Sequence, residues 1–318
     1  MSNPAPKTAS HTISDVERDV GVAKETLRVW ERRYGFPQPD RDFNDERTYP
    51  LVQVERLARI KRLIDHGHRP GKLMALSDAE LAELGARVIA PAPAALADPD
   101  LATSMSLLGR HQLGALRTHL AHALLRRGLR AFVMDLLVPL SAAVRHGWTD
   151  GTVATFEERL FAETIHQVLR PAIITASPPD GEGEGNAKPR APRVLLTTVP
   201  QERSSVGLLM TEALLALAGA HCTSLGPQTP LADIVTAAAA LNSDIVSLSF
   251  SSRVATRAIA DSVNELRGRC GASVEVWAGG SGALLARRLI AENHVVPLDD
   301  IGAAIARWQA RAIPDALA

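Results

Sequence analysis

Residues 12–49 constrain the fold of this chain more than any other stretch, because they predict two short helices and a β-hairpin in close succession. Apolar residues recur at helical spacing through 13–20, Gly21 interrupts the pattern, and Leu27 and Trp30 continue a second apolar series. The polar face of the second helix carries Lys24, Thr26, Arg28, Arg32 and Arg33. A short helix, a glycine turn and an arginine-rich second helix are typical of a helix-turn-helix, whose second helix lies in the DNA major groove.

A chain reversal rich in proline, aspartate and asparagine follows the second helix. It occupies residues 37–45 and closes on Arg47-Thr48-Tyr49. Residues of these types favour turns, so the segment predicts a β-hairpin wing whose tip reaches DNA phosphate.

The run TLRVWERRYG at residues 26–35 resembles the recognition helix of the MerR family of bacterial transcription regulators. Arg47 and Tyr49 match the Arg-x-Tyr of that family's wing, and the resemblance continues to about residue 76. It implies a winged helix-turn-helix at 11–76 that binds a double-stranded DNA operator as a dimer. The implied DNA contacts are Lys24, Thr26, Arg28, Arg32, Arg33, Tyr34, Arg47 and Tyr49.

The charge of the chain is balanced, with 35 lysines and arginines against 35 aspartates and glutamates. DNA affinity must therefore come from a local patch and not from the charge of the whole molecule. The recognition helix supplies such a patch, because Lys24 and three arginines outnumber Glu25 and Glu31.

Residues 1–10 are rich in proline, serine and alanine and lack the apolar core of a signal peptide. No apolar run is long enough to span a membrane. We therefore expect a disordered tail on a cytoplasmic protein that does not contact a membrane. Cys222 and Cys270 lie far apart in the sequence, outside any Cys/His cluster, and are expected to be free thiols.

The expected fold class is multidomain α and α/β. Wide apolar stripes and very short connections predict an antiparallel helical bundle at 77–176. The composition of 177–192 indicates a linker. Short apolar runs alternate with helical stretches through 193–313, which predicts a doubly wound, Rossmann-like parallel sheet. The predicted strands include residues 194–199, 245–250 and 274–278, and a last strand at 294–298.

Ligands bind such sheets at the carboxyl ends of the strands, and the loops there carry a second resemblance. The sequence PQERSSVG occupies 200–207, where the cobalamin-binding module of methionine synthase has Glu-x-His-x-x-Gly. Together with the head, the bundle and this domain resemble the light-sensing regulators of the CarH and LitR type. The implied ligand-binding residues are Trp148, Glu158, Arg159, Glu202, Arg203, Ser204, Gly207, Ser247, Ser249, Gly279 and Gly280.

Two positions depart from that resemblance. Ser204 stands where the family has the histidine that ligates cobalt, and a hydroxyl is a poor ligand for that metal. Trp148 is followed after nine residues by Glu158-Arg159, where light-sensing members have Glu-His. Both imidazoles that could address cobalt are therefore replaced.

Three interpretations of the ligand site remain open. The domain is a ligand-independent scaffold or senses something else; it binds cobalamin without a protein ligand to cobalt; or it binds a linear tetrapyrrole whose propionates pair with Arg159 or Arg203. His146 and His166 flank the predicted crevice and could replace a lost ligand. His119 and His122 lie three residues apart, but no carboxylate or cysteine accompanies them, so no metal site is predicted.

The sequence predicts a DNA-binding transcription regulator and not an enzyme, because no nucleophile elbow, P-loop or metal motif appears. Self-association is expected through the C-terminal two-thirds, because no long dimerisation helix follows the head. The alternatives are a corrinoid-carrier subunit of a methyl-transfer enzyme and an adaptor that holds a partner regulator.

Overall fold

A computed structural model describes residues 10–42, 45–65, 68–88, 98–178, 191–291 and 294–312. They divide between two compact units, one within residues 1–90 and 145–154, the other within 91–144 and 155–318. The segments of the predicted bundle are divided between the two units. Most of the predicted tail and linker, residues 1–9 and 179–190, lies outside the described residues.

Among its described residues, the first unit contains a small antiparallel sheet and five complete helices. Its strands are β1 (Ser10–Thr12), β2 (Asp40–Arg41) and β3 (Arg47–Pro50), in the order β1-β3-β2. Its helices are α1 (Ile13–Val20), α2 (Lys24–Tyr34), α3 (Leu51–Asp65), α4 (Pro70–Leu73) and α5 (Asp78–Val88). Ser10, expected in the disordered tail, begins the first strand.

The sharp turn between α1 and α2 follows from local sequence chemistry. The Thr12 hydroxyl accepts a hydrogen bond from the Asp15 N–H (3.2 Å), and the Asp15 carboxylate accepts one from the Thr12 N–H (3.0 Å). This capping box starts α1. Gly21 ends it with φ 74°, a left-handed conformation that glycine adopts without steric cost. The same reciprocal pattern between Ser77 and Glu80 starts α5.

The core of the first unit forms where α2, β3 and α3 meet. The expected core face of α2 is confirmed, because Leu27 is fully buried and Trp30 nearly so. Tyr49 and Leu57 complete the centre, and each is fully buried. The wing is therefore fixed to the helices by side chains of β3.

The second unit begins with a helical part. Its elements are α6 (Pro99–Gly109), α7 (Leu113–Arg127), α8 (Leu129–Ala131), a π-helical segment Phe132–Leu137, α9 (Val138–Asp150) and α10 (Thr155–Ala176). The predicted helix at 129–146 is present, but the π-helical segment lies within it. The α9 residues from 145 onward belong to the first unit.

An α/β domain completes the second unit. Its strands are β4 (Arg193–Thr197), β5 (His221–Gly226), β6 (Ile245–Ser249) and β7 (Glu275–Gly279). Its helices are α11 (Val206–Leu217), α12 (Leu231–Ala240), α13 (Thr256–Cys270), α14 (Gly280–Ala286) and α15 (Ile301–Ala312).

The four strands are parallel in the order β5-β4-β6-β7, which confirms the doubly wound fold predicted from the alternating pattern. Every residue of β6 is buried, as expected for a strand covered on both faces.

The predicted last strand at 294–298 is wrong. Among the described residues of this segment, only Val295 forms a bridge, to Ala278, and residues 298–300 form a 3-10 turn. The apolar run HVVPL suggested a strand, but Pro297 provides no N–H to continue a ladder. The outer edge of β7 is therefore only partly paired.

No helix among the described residues is both long enough and apolar enough to cross a membrane.

We expect Leu27→Ala to lower the free energy of unfolding by about 2 to 5 kcal/mol, because it leaves a cavity in the core of the first unit. Val29 lies on the same helix but is exposed, so Val29→Ala is the matched control and should change stability by less than about 0.5 kcal/mol. Urea denaturation followed by circular dichroism measures both. Equal losses would contradict the assignment of the buried face.

Candidate functional site

The exposed face of α2 is the first candidate site. Arg28 and Arg32 are one helical turn apart, both are exposed, and Arg33 is exposed beside them. Lys24 and Thr26 are half-buried, and the Lys24 ammonium lies 3.6 Å from the Glu17 carboxylate. The buried Leu27 and Trp30 hold the opposite face in the core, so the arginines point to solvent.

The wing contributes a further basic residue beside this face. Arg47, on β3, lies 3.1 Å from the Glu31 carboxylate of α2. The ion pair fixes the start of β3 against the recognition helix. Residues 43–44, at the predicted wing tip, are outside the described residues.

The structure places the two predicted tyrosine contacts differently. Tyr49 has no exposed surface, and its hydroxyl has no hydrogen-bond partner among the described residues. Burial raises the pKa of Tyr49 above its ordinary value. Tyr49 therefore serves the core in this conformation and offers no atom to DNA. Tyr34 is half-buried, with the Arg33 guanidinium 5.4 Å from the centre of its ring.

The second candidate site is the group of loops at the carboxyl ends of β4, β6 and β7. Glu202 lies in the loop that follows β4 and is buried. Its hydrogen bonds connect that loop to the loop after β6. One of its carboxylate oxygens accepts the N–H of Ser204 (2.8 Å), and the other accepts the N–H of Ser251 (2.5 Å). The Thr198 hydroxyl donates to the Glu202 carbonyl (2.7 Å). The loop after β4 is thereby tied to the loop after β6.

The predicted small residues line the same loops at close range. Ser247 and Ser249 are buried on β6. A Cβ atom at Gly207 would lie 2.7 Å from the Ser249 hydroxyl oxygen, so a larger residue there would require the Ser249 side chain to move. Gly279 ends β7, and a Cβ atom there would lie 3.2 Å from the Val296 carbonyl oxygen. Gly280 has φ 85°, and a Cβ atom there would overlap the Phe250 carbonyl oxygen.

Three polar contacts join α10 to the α/β domain within the second unit. The His166 Nε2 atom lies 2.8 Å from the Ser205 hydroxyl. Arg170 donates to Glu212 at 2.6 Å, and the Arg253 guanidinium lies 3.4 Å from the Glu158 carboxylate. These contacts cross between the helical part and the loops that would hold a ligand.

Burial shifts the pKa of two groups at this junction. Desolvation lowers the pKa of His166, and the charge of Arg170 acts in the same direction. Desolvation raises the pKa of Glu212, and the Arg170 guanidinium opposes that rise. The neutral imidazole is therefore favoured at His166, and the Glu212 carboxylate depends on Arg170.

The remaining predicted ligand residues differ in exposure and in the unit to which they belong. Arg159 and Arg203 are exposed. Ser204 is half-buried, and its N–H is bound to Glu202. Trp148 belongs to the first compact unit, whereas Glu158 belongs to the second.

The residues present do not fit cobalamin held by an imidazole from the loop. The side chain at the ligating position is a hydroxyl, and the imidazole beside the loop, that of His166, already contacts Ser205 through Nε2. Within the residues that the structure describes, no group of three His, Cys, Asp or Glu side chains could hold a metal ion.

Arg170, Glu212, Ser251 and Arg253 were not predicted. Their contacts join residues 42, 49 and 95 positions apart in the chain. No local pattern identifies such pairs. A buried glutamate inside the apolar helix α11 was the one available signal, since an isolated buried carboxylate needs a partner.

Comparison with known proteins agrees with the head predicted from the sequence. The model of the MerR HTH family of regulatory proteins matches residues 11–79. The HTH-type transcriptional regulator MlrA of Escherichia coli is 35% identical over 68 residues, which cover 21% of this chain and 28% of that protein.

Two relatives match most of the chain. The HTH-type transcriptional repressor CarH of Myxococcus xanthus is 28% identical over 270 residues, covering 83% of this chain and 86% of the relative. The repressor CarA of the same organism is 29% identical over 274 residues, covering 85% and 86%. Among solved structures, the monomethylamine corrinoid protein of Methanosarcina barkeri has 14% identity and a TM-score of 0.47, covering 65% of this chain and 96% of that one.

The resemblance stated from the sequence is confirmed. The N-terminal domain is a MerR-type helix-turn-helix, and most of the chain is similar to CarH and CarA.

We expect Arg170→Met to lower the free energy of unfolding at neutral pH by about 2 kcal/mol, because it leaves the buried Glu212 carboxylate without its charged partner. Lowering the pH should reduce this loss, because Glu212 has a raised pKa and its protonation removes the unpaired charge. Arg170→Met/Glu212→Gln should recover most of the stability. Denaturation of the three proteins at two pH values measures this, and a double variant no more stable than the single one would contradict it.

Proposed function

We propose that this protein is a sequence-specific DNA-binding regulator of transcription whose C-terminal domain works without a histidine ligand to cobalt. One observation carries the DNA-binding part: Arg28, Arg32 and Arg33 are exposed together on the second helix of a MerR-type helix-turn-helix. CarH and CarA are both named transcriptional repressors, which supports a regulatory role.

Arginine is suited to both parts of operator recognition. Its planar guanidinium pairs with two acceptor atoms of a guanine edge, and it also binds phosphate. Glu31 forms an ion pair with Arg47 of the wing. Its negative charge is therefore compensated there, and the three exposed arginines are available to bind DNA. In a chain of zero net charge, this local group supplies the attraction, and we expect binding to weaken as salt rises.

The C-terminal domain is proposed to act as a scaffold or as the sensor of a ligand other than histidine-ligated cobalamin. Ser204 and Arg159 stand where the imidazoles are expected. Glu202 already accepts the N–H of Ser204, and the Ser205 hydroxyl already contacts His166 of α10. The remaining ligand candidates, a linear tetrapyrrole or cobalamin without a protein ligand, require no imidazole. A retained, light-responsive spectrum with either chromophore would make the protein a photosensor.

Self-association is proposed to run through the second unit. Large apolar side chains are exposed there, among them Leu125, Ile174, Leu285 and Leu289. A ligand or partner regulator that changes the association would change DNA affinity by linkage. The corrinoid-carrier alternative does not account for the DNA-binding head, so we propose a non-enzymatic protein that acts at DNA in the cytoplasm.

We expect Arg28→Ala and Arg32→Ala each to weaken binding to the preferred site by about 1 to 3 kcal/mol, because each removes a guanidinium from the recognition face. The site is first selected by the wild-type protein from random duplexes, and affinities are measured by fluorescence anisotropy. Arg257→Ala is the control, because Arg257 is also exposed but lies on α13 of the other unit. Unchanged affinity of both head variants would exclude α2 as the recognition helix.

We expect Ser204→His to increase retention of adenosylcobalamin after desalting, because an imidazole would then stand at the ligating position. Ser205→His, one position away, is the matched control and should give no gain. Visible absorbance in the dark reports retention, and the position of the bands reports cobalt ligation. Wild-type protein that retains cobalamin with an imidazole-ligated spectrum would overturn the proposal for the C-terminal domain, while leaving operator binding as a separate result.

A further inference from the structure

The incomplete pairing of β7 leaves an open groove along the outer edge of the sheet. The groove has a volume of about 1030 Å³ and is bounded by β7, α14, the segment 294–297 and α15. Its lining includes Glu275, the first residue of β7, and none of Glu202, Ser249, Gly279 and Gly280 of the predicted crevice. It is therefore a second site, and nothing in its argument depends on the proposed function.

His294 supplies a buried polar atom to this groove. Its side chain is nine-tenths buried, and its Nδ1 atom lies 2.8 Å from the Val276 carbonyl oxygen. A carbonyl oxygen only accepts, so Nδ1 carries the proton, and the imidazole takes the place that the amide of a fifth strand would have. In the neutral ring, Nε2 is then a hydrogen-bond acceptor.

The Nε2 atom has no hydrogen-bond partner among the described residues. A buried acceptor without a donor is unfavourable, and most such atoms in folded proteins are satisfied by protein, water or ligand. His294 lines the groove, but Nε2 itself has almost no accessible surface, so a bound molecule supplies the missing donor only when the imidazole ring turns toward the groove.

The charged side chains of the groove are unequally engaged. Arg311 donates to Glu275 at 2.7 Å, and the Trp277 indole N–H donates to the same carboxylate at 2.9 Å. Arg307 donates to Asp300 at 2.7 Å. Arg287 is exposed at the rim and makes no such pair with any residue that the structure describes. Its guanidinium can therefore bind the carboxylate of a ligand.

Apolar atoms lie between these polar groups. Trp277, Val296 and Ala304 are buried and line the groove, and Leu284 is partly exposed beside Arg287. A ligand in this place would need an apolar body, because small-molecule sites are mostly apolar with a few placed polar groups.

We propose that this groove binds a small hydroxylated organic acid. Its carboxylate pairs with Arg287, its hydroxyl donates to the Nε2 atom of His294, and its apolar body rests on Trp277 and Leu284. A hydroxyl satisfies the buried acceptor, and the acid group is selected by the guanidinium that has no carboxylate partner of its own among the described residues.

The probe for this site is para-hydroxybenzoate, titrated into the full-length protein by isothermal calorimetry. Benzoate lacks the hydroxyl and para-hydroxybenzyl alcohol lacks the carboxylate, so each should bind about tenfold more weakly or not at all. Saturable binding of the hydroxy acid alone supports the proposal. Absence of saturable binding, or equal binding of all three compounds, overturns it.

Two substitutions test the residues, and one controls for them. Arg287→Gln removes the carboxylate partner, while Arg288→Gln changes the adjacent exposed arginine, which does not line the groove. His294→Asn keeps an amide N–H near the position of Nδ1 and removes Nε2. Arg287→Gln and His294→Asn should each reduce affinity about tenfold, and Arg288→Gln less than about twofold.

Thermal unfolding by circular dichroism checks that the variants are folded. If His294→Asn lowers the melting temperature strongly, Arg287→Gln still decides the question, because its side chain is exposed. Equal losses in Arg287→Gln and Arg288→Gln would overturn the assignment of the carboxylate to this groove.

Discussion

The hydrogen bonds of the buried Glu202 carboxylate hold the loops at the carboxyl ends of β4 and β6 together. A carboxylate excluded from water must be satisfied by donors, and it receives the N–H groups of Ser204 and Ser251 from two different loops. Those bonds determine where the loop after β4 lies and how Ser205 faces α10. The helical part and the parallel sheet are then held together by His166–Ser205 and by the ion pair of Arg170 with Glu212. A ligand entering this junction would have to replace contacts that already satisfy one another.

The DNA-binding head concentrates positive charge on one helix. The chain as a whole carries no net charge, yet its recognition helix presents three exposed arginines on one face. The apolar face of the same helix, with Leu27 and Trp30 in the core, determines which side is presented. Attraction to DNA is thus a property of the orientation of one helix and not of composition.

At the other edge of the sheet, the missing fifth strand has consequences of its own. The side chain of His294 donates to the Val276 carbonyl where a strand amide would, and this uses only one of its two ring nitrogens. The second nitrogen is buried without a partner among the described residues. The groove beside it exists because Pro297 and the following 3-10 turn end the strand pattern early. The incomplete pairing of β7 thereby leaves the proposed binding groove open.

The helix-turn-helix and the parallel sheet could be predicted from local sequence patterns, because they depend on spacing within short windows. Examples are the helical period around Leu27, the turn at Gly21 and the apolar run of β6. The sequence also showed that Ser204 lacks the chemistry of a cobalt ligand. The burial of Tyr49, the missing strand at 294–298 and the ion pair of Arg170 with Glu212 became visible only in the folded chain. The physical reason is distance along the chain: burial and ion pairing arise between segments tens of residues apart, and no local pattern records which of them will meet.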